Sequence, residues 1–176
     1  MKKLLIALSI VTAAAISCKS VGPTQQAGLT TSAASPSTVA ATEYVTDDAK
    51  VIDESTRKQL ETTLTALKER KKIDFSVVTM KSTGSTSVRD YSLTLARQRK
   101  KDSIEENVSG LLLLIAVEDR QWHVQITRNL EVKLTPEILT DLSTPMTDSF
   151  RQKNYSEGIL KYVNAIIAKL EQIEPA

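Results

Sequence analysis

Apolar residues recur at helical spacing in four stretches of the chain. The first predicted helix runs through Lys71 and carries its apolar stripe at positions i, i+4 and i+7, namely Leu60, Leu64 and Leu67. The four helices begin after, or at, side chains typical of N-caps: Asp53, Ser87, Thr135 and Ser156. Pro136 directly follows one of these caps and suits the first helical position. Pro145 is expected to break or restart that same helix.

Three other stretches have the apolar patterns of strands. Residues 73–80, IDFSVVTM, are rich in β-branched residues, which predicts a strand. Residues 110–117, GLLLLIAV, form an unbroken apolar run, as in a central strand covered on both faces. After a turn at residues 118–121, the residues at 122, 124 and 126 are apolar and alternate with polar ones. This alternation predicts a third strand with one buried face.

The order of these elements predicts the fold. An extended segment at residues 44–52 comes first, followed by helix, strand, helix, strand, strand, helix and helix. The strand–helix–strand unit is expected to be a right-handed crossover between parallel strands, and the third strand returns antiparallel through a tight turn. We therefore predict an α/β fold, a three-layer α/β/α sandwich with a small mixed sheet, over residues 44–176.

The beginning of the chain has the pattern of a bacterial lipoprotein signal. Residues 1–17 combine two lysines with a short apolar run, too short to span a bilayer comfortably. The run ends at Cys18, in a context similar to a lipobox, which predicts a lipidated cysteine as the mature N-terminus. Residues 18–43 are mostly small and polar, so they are expected to form a tether. The protein is therefore expected in the cell envelope, lipid-anchored on the periplasmic or extracellular side of a bacterial membrane.

Charge and composition exclude several kinds of function. Without the two lysines of the signal segment, 21 Lys and Arg balance 21 Asp and Glu, so nothing favours nucleic acid as a partner. Cys18 is the only cysteine, which excludes an intrachain disulfide and a thiolate zinc cluster. His123 is the only histidine, which excludes sites that need two imidazoles.

Candidate site residues follow the two parallel strands, where ligands bind in open α/β sheets. The loop after the first strand offers backbone amides just before a helix, at Gly84, Ser85 and Thr86, and is a candidate anion site. The guanidinium of Arg120, in the loop after the second strand, is included in this candidate site. Carboxylates of the second loop and of the extended segment suit calcium or magnesium and form a candidate metal site: Asp47, Asp48, Glu118 and Asp119.

Each of these signals also has a purely structural interpretation. The sequence Glu118-Asp119-Arg120 is also typical of a solvated hairpin turn, and the Gly84 loop is also typical of a plain capping loop. His123 could act as a general acid or simply form hydrogen bonds near the surface. The sequence alone leaves these alternatives open.

Three motifs in consistent order resemble the TPM domain family over residues 44–172. They are YVTDDAKVID at residues 44–53, SGLLLLIAVEDR at residues 109–120, and FRQKNYSEGILKYV at residues 150–163. This resemblance implies the sandwich fold, a bound calcium ion in some members and an acid-phosphatase-like activity in some members. The chain lacks the family's Trp-Gly-x-Gly before the central strand, and Arg128 and Asn129 stand at or near a family Gly-x-Gly.

These features lead to one leading interpretation, one alternative and a third possibility, which is a purely structural partner-binding domain without ions. The leading interpretation is a lipid-anchored envelope protein whose domain acts as a binding or assembly-assisting module for an envelope protein partner, with calcium as the candidate ion. The alternative is a weak metal-dependent phosphomonoester hydrolase. In that alternative, Asp47 and Asp119 hold the ion and Arg120 stabilises the developing charge.

Overall fold

A computed structural model describes residues 43–102 and 109–172, which form a four-stranded sheet flanked by helices. The strands are β1 (Val45–Asp47), β2 (Ile73–Met80), β3 (Ser109–Ala116) and β4 (Gln121–Ile126). The helices are α1 (Glu54–Lys71), α2 (Val88–Asp102), α3 (Arg128–Glu131), α4 (Pro136–Arg151) and α5 (Tyr155–Glu171). The predicted signal peptide, most of the predicted tether and the lipidation site Cys18 lie outside the described residues.

The sheet has the strand order β1-β2-β3-β4. The strands β1, β2 and β3 are parallel, and β4 pairs with β3 in the antiparallel direction. The predicted α/β sandwich with a mixed sheet is therefore confirmed. The extended segment at residues 44–52 contributes more than expected, because three of its residues form β1 at the edge of the sheet.

The apolar run of β3 is buried on both faces, as its sequence predicts. Leu111, Leu113 and Ile115 point into the larger core, together with buried residues of α1, α4 and α5. Leu112 and Leu114 point to the opposite face, where Leu95 of α2 covers them. Burying one such side chain contributes about 1.5–3 kcal/mol. The central strand therefore holds both helical layers to the sheet.

The first turn of α1 is capped as predicted, and the same residues connect it to α5. The Asp53 carboxylate accepts a hydrogen bond from Thr56 N at 2.8 Å. Asp53 N donates to Ser156 Oγ at 2.9 Å, and the Ser156 hydroxyl donates to Val51 O at 3.1 Å. The prediction that Ser156 is the N-cap of the last helix is wrong, because α5 begins at Tyr155 and Ser156 instead bonds to the segment before α1.

The predicted break at Pro145 is also wrong. The helix α4 continues from Pro136 to Arg151 with Pro145 in its interior and exposed. A proline in a helix interior costs about 3 kcal/mol. Burial of Leu139 and Met146 on the apolar face of the same helix is of comparable or larger magnitude. Packing against α5 therefore keeps α4 continuous despite the proline.

None of the helices in the described ranges has both the length and the apolar character that a bilayer span requires.

Candidate ligand-binding site

The carboxyl ends of β2 and β3 lie side by side, and their loops are hydrogen-bonded to each other. Residues 81–87 follow β2, and residues 117–120 follow β3. Glu118 N donates to Lys81 O at 2.8 Å. The two loops that carry most of the predicted site residues therefore form one edge of the sheet, as the parallel direction of the strands requires.

The carboxylate of Asp119 ties these two loops together. Its Oδ1 accepts a hydrogen bond from the Ser82 hydroxyl at 2.7 Å, and its Oδ2 accepts from Thr83 N at 2.8 Å and from Thr83 Oγ1 at 3.2 Å. The Thr83 N–H and the Ser82 hydroxyl hold the pKa of Asp119 below its ordinary value. Both oxygens of this predicted metal ligand are therefore engaged within the protein.

The carboxylate of Asp47 shapes the turn between β1 and α1 in the same way. Its Oδ1 accepts from Val51 N at 3.1 Å and from the Thr79 hydroxyl. Its Oδ2 accepts from Ile52 N at 2.9 Å. Asp47 therefore connects the end of β1 to the neighbouring strand and to the segment before α1.

The four carboxylates of the predicted metal site do not fit calcium in this arrangement. Calcium takes six to eight oxygen ligands, several of them usually carboxylates. Asp47 and Asp119 already accept hydrogen bonds, while Asp48 and Glu118 are exposed. Among the residues that the structure describes, no three or more His, Cys, Asp or Glu side chains group in a way that could hold a metal. The calcium site remains a prediction of the sequence.

The predicted anion loop makes the contacts of a capping loop. Gly84, Ser85 and Thr86 are exposed, and Gly84 has a φ of 65°, a conformation that glycine adopts without strain. Gly84 N donates to Ser82 Oγ at 3.0 Å. Ser87 Oγ accepts from a backbone amide in the first turn of α2 at 3.1 Å. These bonds stabilise the loop and the start of α2.

A pocket of about 420 Å³ lies beside this edge, between the β3–β4 turn and the α4–α5 turn. Three cationic and three aromatic side chains are among its lining residues: Arg120, Arg151, Lys153, Trp122, Phe150 and Tyr155. Its volume is within the range of small-molecule sites, about 300–1,000 Å³. The structure thus places Arg120 at this pocket, whose lining includes none of the other predicted anion-site residues.

The pocket is electropositive. None of its lining residues is Asp, Glu, His or Cys. Arg151 Nη1 pairs with Asp148 Oδ1 at 2.8 Å. Arg120 and Lys153 are both exposed, and among the side chains that the structure describes no carboxylate pairs with either of them. The pocket therefore favours an anion next to these two cations.

The aromatic wall of the pocket is held in place by ring contacts. The ring centroids of Phe150 and Tyr155 lie 5.0 Å apart. Trp122 meets the ring of Tyr162 edge-on, with centroids 5.6 Å apart. Tyr162 is fully buried, and its hydroxyl donates to Leu139 O at 3.1 Å. Since this buried ring supports Trp122, the pocket offers a preformed apolar surface beside its cations.

His123 lies outside this pocket. It pairs with Leu114 on the face of the sheet that α2 covers. Burial, with a smaller contribution from the charge of Arg89, lowers the pKa of His123, so the imidazole is neutral near pH 7. His123 therefore does not provide the pocket with a general acid.

The sequence alone indicated Arg120 but not the rest of the pocket. Phe150 and Arg151 end α4, Lys153 lies in the short turn that follows, and Tyr155 begins α5, so the sequence around this turn is basic and aromatic. This composition was the available signal. The pairing of that turn with the β3–β4 turn depends on how α4 packs, which no local motif specifies.

The chain is similar to known proteins over most of the described domain. A family model described as "TPM domain" matches residues 45–169. The solution NMR structure of an N-terminal domain of a protein from P. gingivalis is 29% identical, with a TM-score of 0.67 over 75% of this chain and 84% of that chain. No curated protein matches the chain.

Two further solution structures share the fold at lower identity. The N-terminal domain of the cg2496 protein from Corynebacterium glutamicum is 18% identical, with a TM-score of 0.53 over 70% of this chain and 77% of that chain. The BA42 protein from Bizionia argentinensis is 15% identical, with a TM-score of 0.58 over 69% of this chain and 82% of that chain. The family match covers well over half of the sequence, and the chain therefore belongs to the TPM domain family.

Proposed function

We propose that this TPM domain is an anion-binding module of the bacterial cell envelope, and that its ligand occupies the pocket between the β3–β4 and α4–α5 turns. One observation carries the proposal: the pocket combines cations and aromatic rings with no carboxylate, imidazole or thiol in its lining. Such a lining attracts an anion and packs against an apolar group. Its lining contains no carboxylate or imidazole that could act as a base toward water or the hydroxyl of Thr147. The chemistry of the pocket therefore supports binding and not hydrolysis.

The binding part of the proposal is tested by the fluorescence of Trp122. This is the only tryptophan in the chain and it lines the pocket, so its emission reports directly on occupancy. N-acetyl-phenylalanine, which joins a carboxylate to an aromatic ring, is a suitable probe. We expect a saturable change in emission with this probe. No change with it, or with phosphate or benzoate, would contradict the proposal.

The absence of hydrolysis is tested with p-nitrophenyl phosphate in the presence of magnesium or calcium. We expect no turnover above that of a blank, since both oxygens of Asp119 hold the neighbouring loop. Metal-dependent turnover that disappears in Asp119→Asn would contradict this proposal and restore the phosphatase alternative.

The proposed location in the envelope depends on Cys18 and on the signal-like segment before it. Several acyl chains on one cysteine anchor a protein stably, because each buried methylene contributes about 0.8 kcal/mol. We expect the full chain expressed in bacteria to stay with the membrane fraction in high salt and to leave it in detergent. The Cys18→Ala variant should appear in the fraction without membranes. Its retention in the membrane fraction, together with the wild type, would contradict a lipid anchor.

A further inference from the structure

The two edges of the sheet differ in how they are protected against pairing with another strand. The edge strand β1 has only three residues, and Val45 N donates to the carboxylate of Glu61 at 2.8 Å. The other edge strand, β4, has six residues, QWHVQI, with no proline and no acidic, lysine or arginine residue. In the described ranges it pairs with β3 alone. Since unprotected edges of this kind invite strand addition, β4 is the edge suited to a partner.

The free edge of β4 leads directly into the electropositive pocket. Gln121 and Trp122, the first two residues of β4, both line the pocket. An extended peptide running antiparallel to β4 would place its C-terminal end beside them. Six residues of strand span about 20 Å. A short peptide can therefore pair with β4 and reach the pocket at the same time.

We propose that this site binds the C-terminus of a partner protein, an inference that rests on the proposed anion-binding function. The terminal carboxylate would lie between Arg120 and Lys153, and the last side chain, which is apolar, would pack against Trp122 and Phe150. The preceding residues would add to β4 as a fifth strand, through backbone hydrogen bonds. This occupant accounts for the cations, the aromatic wall and the unprotected edge together.

The segment that leads into the domain is held at the opposite edge of the sheet. The Glu43 carboxylate pairs with Arg57 of α1, and Glu43 O accepts from Arg99 of α2 at 2.7 Å. The chain then enters β1, which is separated from β4 by three strand spacings, about 14 Å. The proposed site is therefore at the other side of the sheet from the segment that is predicted to lead to the membrane.

A pair of synthetic peptides tests the proposal on the domain or the full chain. One is a six-residue peptide of alternating threonine and valine that ends in phenylalanine with a free carboxylate, and the other is its C-terminal amide. Binding is measured by Trp122 fluorescence and by calorimetry. Because hydrogen bonds between charged groups are the stronger ones, we expect the amide to bind about tenfold more weakly or worse. We also expect N-acetyl-phenylalanine to bind more weakly than the free-acid peptide, because it cannot pair with β4.

Glycine substitutions remove the two cations without damage to the backbone. Arg120 and Lys153 have φ values of 53° and 60°, which glycine adopts more easily than any other residue. We expect Arg120→Gly and Lys153→Gly each to weaken binding of the free-acid peptide about tenfold and to affect the amide much less. Lys72→Gly is the matched control. It removes the same charge at a φ of 55°, but at the C-cap of α1 and outside the pocket lining, so binding should not change.

The outcomes separate this inference from the proposed function. Equal affinity for the acid and the amide would overturn the inference. It would also be overturned if N-acetyl-phenylalanine, benzoate or phosphate bound as tightly as the peptide and the amide NMR signals of β4 did not shift with peptide. In that case the anion-binding function would stand without a peptide ligand. Binding of no anion at all would overturn both.

Discussion

Gly158 is the position at which the smallest change should have the clearest effect on both packing and binding. A Cβ atom there would lie 2.9 Å from Phe150 Cε1 and 3.0 Å from Met146 O. Real Cβ atoms essentially never approach another atom as closely as 2.9 Å, and 3.0 Å is tighter than most real contacts; the carbonyl also belongs to the backbone of α4. Gly158→Ala must therefore push α4 and α5 apart or rotate the ring of Phe150.

The size of the effect follows from two opposing contributions. Overpacking of this kind costs about 1–3 kcal/mol. Alanine gains about 1 kcal/mol over glycine in a helix interior. We expect a net loss of about 0–2 kcal/mol in the free energy of unfolding, measured by urea denaturation, and a Tm lower by up to about 8 °C. Since Phe150 also lines the pocket, binding of N-acetyl-phenylalanine should weaken as well.

Asn164→Ala is the matched control, because this side chain is exposed on the same helix. It should raise stability by a few tenths of a kcal/mol through helix propensity alone. The packing argument would be refuted if Gly158→Ala were as stable as Asn164→Ala while the ring signals of Phe150 kept their chemical shifts.

Three further predictions follow from the structure. Pro145→Ala should stabilise the domain by about 1–2 kcal/mol in urea denaturation, because the proline is exposed and interrupts the hydrogen bonding of α4. The folded state lowers the pKa of Asp53 and of Asp119, so both carboxylates stabilise the domain above about pH 4 and lose that effect as the pH falls further. The Tm measured between about pH 2 and pH 6 should show this loss of stability as the pH falls. Asp53→Asn should make the decline in Tm shallower. Millimolar calcium should leave the Tm unchanged in calorimetry, since Asp47 and Asp119 are engaged with backbone and hydroxyl donors; a clear rise would show that they exchange these donors for the ion.

The sequence predicted the secondary structure correctly where the pattern of apolar residues is long and follows from burial. The predicted strand at residues 73–80 coincides with β2, and the predicted strand at residues 110–117 differs from β3 by one residue. The cap at Asp53 and the end of the first helix at Lys71 are confirmed as well. In each case the local preference of the residues agrees with the burial that the fold imposes on them.

The sequence was insufficient where long-range packing decides the outcome. The strand β1 has three residues, too few for an alternating pattern to be recognised. Pro145 is tolerated because the rest of α4 is buried against α5, which a local rule cannot anticipate. Asp47 and Asp119 were recognised as important carboxylates, but their hydrogen bonds to Ile52 N and Thr83 N depend on how the loops close. Residue type therefore located these side chains without determining their role.

The positive φ of Arg120 and Lys153 is not by itself a mark of function. Lys50 and Lys72 have the same conformation, and Lys72 has a structural reason for it, since its N–H donates to Lys68 O at the end of α1. What distinguishes Arg120 and Lys153 is that two separate turns bring them to one pocket that has no acidic residue in its lining. Four basic residues thus share one backbone conformation, and only two of them share a site. If the binding of the free-acid peptide depends on that site, it should respond to the two residues that line the pocket and not to the two that do not.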